Sequence, residues 1–194
     1  MSRLTVKELE APTGQNIELV AGETLDLSAG TVTLPTGTGG KVLQVVHVNK
    51  VDAYAASAVS WQDITGMSAS ITPSSTSSKI LLTCVVQVGG TNTWGGSHFR
   101  MKRDSTVLTV GTQSGHQVNA HIGGLTGYSG HNLDSKTIIE YDSPNTTSSV
   151  TYQLQGYPEQ DGGSGAVYVN TMNQPSTNYT SNGVSSIVLM EIAG

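Results

Sequence analysis

Five histidines, His47, His98, His116, His121 and His131, are the first residues here that could do chemistry. None forms an i, i+4 pair, and the lone cysteine is far from all of them, so the spacing of a zinc-binding element is absent. His116, His121 and His131 share one Gly-rich stretch and could meet in space around a cation. In so weakly charged a segment ordinary polar surface is the favoured reading, so no metal and no cofactor is assigned. Glu140 and Asp142 are two apart and share a strand face. A glycosidase needs two carboxylates across a cleft, and nothing faces this pair. Cys84 lies inside Ile80-Leu-Leu-Thr-Cys-Val-Val and reads as a buried small hydrophobe rather than a nucleophile. There is no Gly-x-Ser-x-Gly elbow and no His-Glu-x-x-His helix. Residues 36–40, Thr-Gly-Thr-Gly-Gly, lack the Lys-Ser/Thr ending of a phosphate loop and read as a hinge. The chain is therefore expected not to be an enzyme. Trp94, in a Gly-rich loop, could stack on a sugar, although packing is favoured for that ring.

Composition narrows the frame that must hold these residues. Hydrophobic residues make up 36% and charged residues 12%, with 23 glycines. That mixture suits short strands and turns and disfavours helices. The net charge is −5 and no basic cluster exceeds Arg100-Met-Lys102-Arg103, so a nucleic-acid partner is not expected. Nowhere do eighteen apolar residues run together, and the first residues have no apolar signal core, so neither membrane insertion nor a secretory signal is expected. On that ground Asn145-Thr-Thr and Asn178-Tyr-Thr read as chance sequons.

Residues 1–40 carry an eight-residue repeat: Ile17-Glu-Leu19-Val-Ala-Gly22, then Leu25-Asp-Leu27-Ser-Ala-Gly30, with a weaker copy at Val32-Thr-Leu34-Pro-Thr-Gly37. Each copy reads as a short strand and a tight turn. From Lys41 strands follow closely: 42–48, 59–64, 68–73, 79–88, 97–102, 107–111, 137–141, 150–155, 167–172 and 184–192. Gly66 is read as a turn separating the second from the third, and Arg103-Asp-Ser-Thr106 as a hairpin turn. The last strand organises the rest. Ile187-Val-Leu-Met-Glu-Ile192 has five apolar residues in six and reads as buried on both faces. The expected fold is all-β: a jelly-roll β-sandwich over 41–194, preceded by a strand-turn lead-in over 1–40.

Three stretches carry a family likeness: Ile64 to Leu82 (ITGMSASITPSSTSSKILL), Phe99 to Thr106 (FRMKRDST) and the ending SIVLMEIAG. They resemble fibre, tail and head-decoration proteins of tailed bacteriophages, particularly marine ones, whose C-terminal domains are trimeric jelly rolls of the tumour-necrosis-factor type. The resemblance implies a homotrimer in the virion, made in the host cytoplasm, attached to tail or capsid proteins through residues 1–40. It implies host-surface polysaccharide as the partner of the outward face, with a capsid-decorating trimer as the alternative and a glycan-cleaving enzyme behind both. The closing strand is expected to pair with the first and to line the trimer core through Ile187, Leu189 and Met190. Counting strands in such a fold sends the loops at 52–57, 143–148 and 174–183 to the end away from the hinge, and 89–96 to the hinge end. Tyr54, Asn145, Asn178 and Tyr179 are then the receptor candidates.

Overall fold

The structure, a computed structural model, describes residues 41–90, 96–112, 115, 118–123, 132–159, 165–172 and 181–194. The repeat at 17–37, Trp94, His116, His131, Asn178 and Tyr179 fall outside them. A division of the chain falls between Thr38 and Gly39, and everything below concerns the C-terminal unit.

Its described residues are all-β. The strands are β1 (Val42–Lys50), β2 (Tyr54–Ala56), β3 (Gln62–Ile71), β4 (Lys79–Gly89), β5 (Ser97–Arg103), β6 (Thr106–Val107), β7 (Leu133–Asp142), β8 (Val150–Pro158), β9 (Val167–Val169) and β10 (Ser185–Ile192). Four antiparallel pairs nest inside one another along the chain: β1 with β10, β3 with β8, β4 with β7, and β5 with β6. Successive pairs alternate between two sheets, one built on β1-β10-β4 with β7 beyond β4, the other β3-β8-β5-β6. A nested hairpin of this kind, rolled so that its layers alternate, is the jelly roll.

Period-2 alternation builds the core between the sheets. β4 turns Ile80, Leu82, Cys84, Val86 and Val88 inward, and β3, β5 and β8 answer with Ile64, Met67, Phe99, Met101, Tyr152 and Leu154. Burial raises the Cys84 thiol to about 12, which keeps it a protonated, inert core group. The β5–β6 hairpin turns on Asp104, whose φ of 50° is the left-handed geometry that aspartate tolerates.

Gly66 departs from the expected turn. Its φ is +80°, but β3 runs through it, with the β8 register slipping between Asp63 and Ser68. This is a bulge. The Gln153 side-chain amide, on β8, reaches into it and donates to the Ile64 and Met67 carbonyls, both at 3.0 Å. One strand in place of two reverses the direction of the strands that follow. Gly89 pairs with Leu133 at the end where Lys50 and Ser185 meet, while Ile80 pairs with Asp142 beside the Lys79–Ile192 pair. The loop at 143–148 therefore lies at the end where Lys41 enters, and Gly89 lies at the opposite end. Both placements correct the strand count.

β10 lies between β1 and β4, and its pairing with β1 is as expected. It is not buried on both faces. Ser185, Ile187, Leu189 and Glu191 point inward, while Ser186, Val188, Met190 and Ile192 are half-buried on the outer face. Ile187 and Leu189 are 0% exposed within a single chain and sit in its own core, so neither side chain can line a subunit interface. Only Met190 of the three expected residues faces outward.

Candidate functional site

Alternation decides what the outer face of the β1-β10-β4-β7 sheet presents. Cross-strand partners share a face, so pairing registers define rows. One row is Val45, Met190, Leu81 and Tyr141; the next is His47, Val188, Thr83 and Ile139; a third is Asn49, Ser186, Val85 and Thr137. None of these twelve residues is charged, His47 being counted as neutral. Ile139 is 66% exposed, Tyr141 61% and Val45 55%, with Met190, Val188, Leu81 and Val85 half-buried between them. A solvated antiparallel sheet face ordinarily alternates to polar residues, whereas here the first row is apolar across all four strands and Val188, Ile139 and Val85 extend it into the next two. Contiguous apolar surface of this kind marks an interaction site. The sequence held a signal for it: Ile187–Ile192 is too continuously apolar for a strand with one dry face, and Ile138-Ile139 repeats the pattern.

The two carboxylates of β7 weighed in the sequence are separately engaged. Glu140 and Asp142 both lie on the inner side of β7. Glu140 Oε1 stands 2.9 Å from His121 Nε2, within ion-pair range but off the hydrogen-bond direction. His121 Nδ1 accepts the Met101 N–H at 3.3 Å. Burial holds the His121 pKa below its ordinary value, against the pull of Glu140. Asp142 takes the Arg103 guanidinium and the Tyr152 hydroxyl, the latter at 2.6 Å, and Tyr152 is fully buried with its pKa raised by burial and by that carboxylate. Asp142 neutralises Arg103, Glu140 stands against the His121 ring, and the two acids do not face each other across a cleft. Among the described residues no group of three or more His, Cys, Asp or Glu could hold a metal.

The receptor candidates do not converge. Tyr54 lies at the Lys50 end, half-buried, its hydroxyl 3.4 Å from the Asp63 carbonyl and its ring 5.9 Å from Lys50 Nζ. Asn145 is exposed at the opposite end, with φ 54° in the turn after β7. Asn178 and Tyr179 lie outside the described residues.

Both ends are closed by buried polar groups that the sequence reading missed. At the Lys41 end Glu191 is 0% exposed, and its carboxylate accepts Ser74 N at 2.7 Å, Ser74 Oγ at 2.6 Å and Gln44 Nε2 at 2.6 Å. Burial alone would raise its pKa; bonds from Ser74, Ser78 and Gln44 overcome that and bring it down to about 2. Ser78 Oγ adds to this field although it falls outside strict hydrogen-bond geometry. At the other end Asn170, fully buried at φ 61°, donates to the Lys50 and Asp52 carbonyls and accepts from Ser185 Oγ at 2.6 Å. These side chains fix the edges of the sheet that carries the apolar face.

No family model matches the chain, and no curated protein matches it either.

Proposed function

We propose that this chain is a non-enzymatic structural subunit of a tailed-phage virion that assembles as a homotrimer through the outer face of the β1-β10-β4-β7 sheet. Residues 1–40 attach it to tail or capsid proteins, and the remaining surface adheres to the host cell. The observation that carries the self-association is the apolar outer face, in which Val45, Met190, Leu81, Tyr141, Val188 and Ile139 stand in adjoining rows. Uncharged rows of this width suit burial against copies of themselves, as in obligate oligomers. The virion setting is supported by the likeness of the stretches 64–82, 99–106 and 186–194 to phage fibre and decoration proteins. Repetition of weak sites around an oligomer would supply adhesion by avidity.

Light scattering on the full chain tests the assembly. The expected mass is three times that of one chain, falling to a single chain in the double variant Ile139→Glu/Tyr141→Glu with far-UV circular dichroism unchanged. Both side chains are more than half exposed on the free subunit, so folding does not depend on them. A monomeric native chain refutes the proposal. Labelled antibody on intact phage particles tests the setting: label on tail or capsid supports it, and unlabelled particles refute it.

A further inference from the structure

The outer face of the second sheet differs in chemistry from the first. Along β8 the outward residues are Thr151, Gln153, Gln155 and Tyr157; opposite them on β5 stand His98, Arg100 and Lys102. Asp63 of β3 pairs with Gln155, so Asp63, Gln155 and Arg100 make one row across three strands. Their side chains are bonded in series. Arg100 Nε donates to Gln155 Oε1 at 2.8 Å, Gln155 Nε2 donates to Asp63 Oδ1 at 2.7 Å, and Lys102 Nζ reaches Asp63 Oδ2 at 2.9 Å. Gln155 at the centre is only 8% exposed, so the row is held from below. Beside it Trp61 lies under the Arg100 guanidinium at 4.1 Å, and Tyr157 follows, 5.5 Å from Trp61 and 6.2 Å from His98 between ring centres. His98 Nε2 in turn stands 3.5 Å from Glu159.

We infer that this face is a binding site for an uncharged, hydroxyl-rich saccharide. Sugar hydroxyls both donate and accept, and are matched by amide, carboxylate and guanidinium groups held in fixed relative positions. Asp63 supplies acceptor oxygens, Arg100 carries two NH2 groups besides the Nε given to Gln155, and the buried Gln155 holds the two in fixed relative positions. Trp61 and Tyr157 supply apolar ring surface next to it, for the C–H faces of a pyranose. Charge selects against an anionic ligand: the two cations of this face, Arg100 and Lys102, are matched by two carboxylates, Asp63 within the row and Glu159 beside it, so no net positive field remains to recruit one. Held packing of Arg, Gln and Asp side chains also means that little rotamer freedom is lost on binding.

The site lies on the sheet opposite the apolar face, so a trimer built through that face leaves it outward; it rests on the adhesion reading only for its avidity. Binding is measured on the full chain by calorimetry and by an array of neutral oligosaccharides set beside uronic-acid and sialylated ones. The expected result is binding to neutral members with one site per chain, little changed between 50 and 300 mM salt. Trp61→Ala and Arg100→Gln should each weaken it about tenfold or more, with thermal midpoint and oligomer mass retained. Because stoichiometry is counted per chain, a failure of trimer assembly does not imitate a failure of the site. No binding to any neutral member, binding only to anionic members with steep salt dependence, or undiminished binding by the two folded site variants would each overturn the inference.

Discussion

Glu191→Gln removes one charge and little volume from the Lys41 end of the sandwich, and its consequences can be worked through. The carboxylate accepts from Ser74 N, Ser74 Oγ and Gln44 Nε2. An amide in its place has one acceptor oxygen, and its NH2 group faces donors that had a partner. Hydrogen bonds to a charged group contribute about 1.5–3 kcal/mol each, not additively, so a loss of about 2–4 kcal/mol at pH 7 is expected. The pKa gives an independent figure. A folded value of about 2 against an ordinary 4.5, with each unit worth about 1.4 kcal/mol, sets a ceiling of about 3.5 kcal/mol; water around the exposed Ser74 that donates to it brings the figure to about 2 kcal/mol. The sign follows from the direction. The folded pKa is depressed, so the stabilisation is complete above pH 4.5 and is lost as pH falls from there through about 2. Urea unfolding followed by circular dichroism, at fixed protein concentration and at several pH values from 7 to 2.5, measures both. The gap between native chain and variant should be full at pH 7 and should narrow steadily below pH 4.5. A gap under about 0.5 kcal/mol at pH 7, or one that does not change down to pH 2.5, refutes the reasoning.

Two further outcomes are expected. Asn170→Ala removes the side-chain donor to the Lys50 and Asp52 carbonyls and the acceptor of the Ser185 hydroxyl, and keeps a positive φ that alanine disfavours; a loss of about 2–4 kcal/mol in urea unfolding is expected, with amide exchange accelerating first in β2 and β9. His121 has a pKa depressed by burial in the fold, so its contribution is intact above the unfolded value of 6.5 and declines as pH falls below it; His121→Gln should flatten the part of the stability profile that begins at pH 6.5, and an unchanged slope there would count against the burial of this ring.

The alternation in Lys79–Gly89 and Ser185–Ile192 is legible from residue types alone, because side chains in a strand have a period of two and apolar ones seek the core. So was the hairpin at Asp104-Ser105, where local turn chemistry suffices. The pairing of β10 with β1 also followed from the chain, since a jelly roll nests its first and last strands. The face on which Ile187 and Leu189 lie was misread, because apolar residues occupy both faces of β10 and parity alone does not name the dry one. Glu191 breaks that parity outright: a carboxylate on the buried side makes sense only once Ser74 and Gln44, distant in sequence, are seen to donate to it.

Residue types therefore determined that this chain forms strands and where its hairpin turns. Tertiary structure decided the rest at Gly66. A glycine at positive φ serves a turn or a bulge equally well, and the choice belongs to Gln153, which fills the bulge from another strand with donors for two freed carbonyls. That one choice sets the direction of the following strands and so sends Asn145 and Tyr54 to opposite ends. It also leaves Asp63, Gln155 and Arg100 in a single row. Contacts between residues so far apart in the chain are fixed only when the two sheets close over one core, because only then does a buried carbonyl have to find its donor.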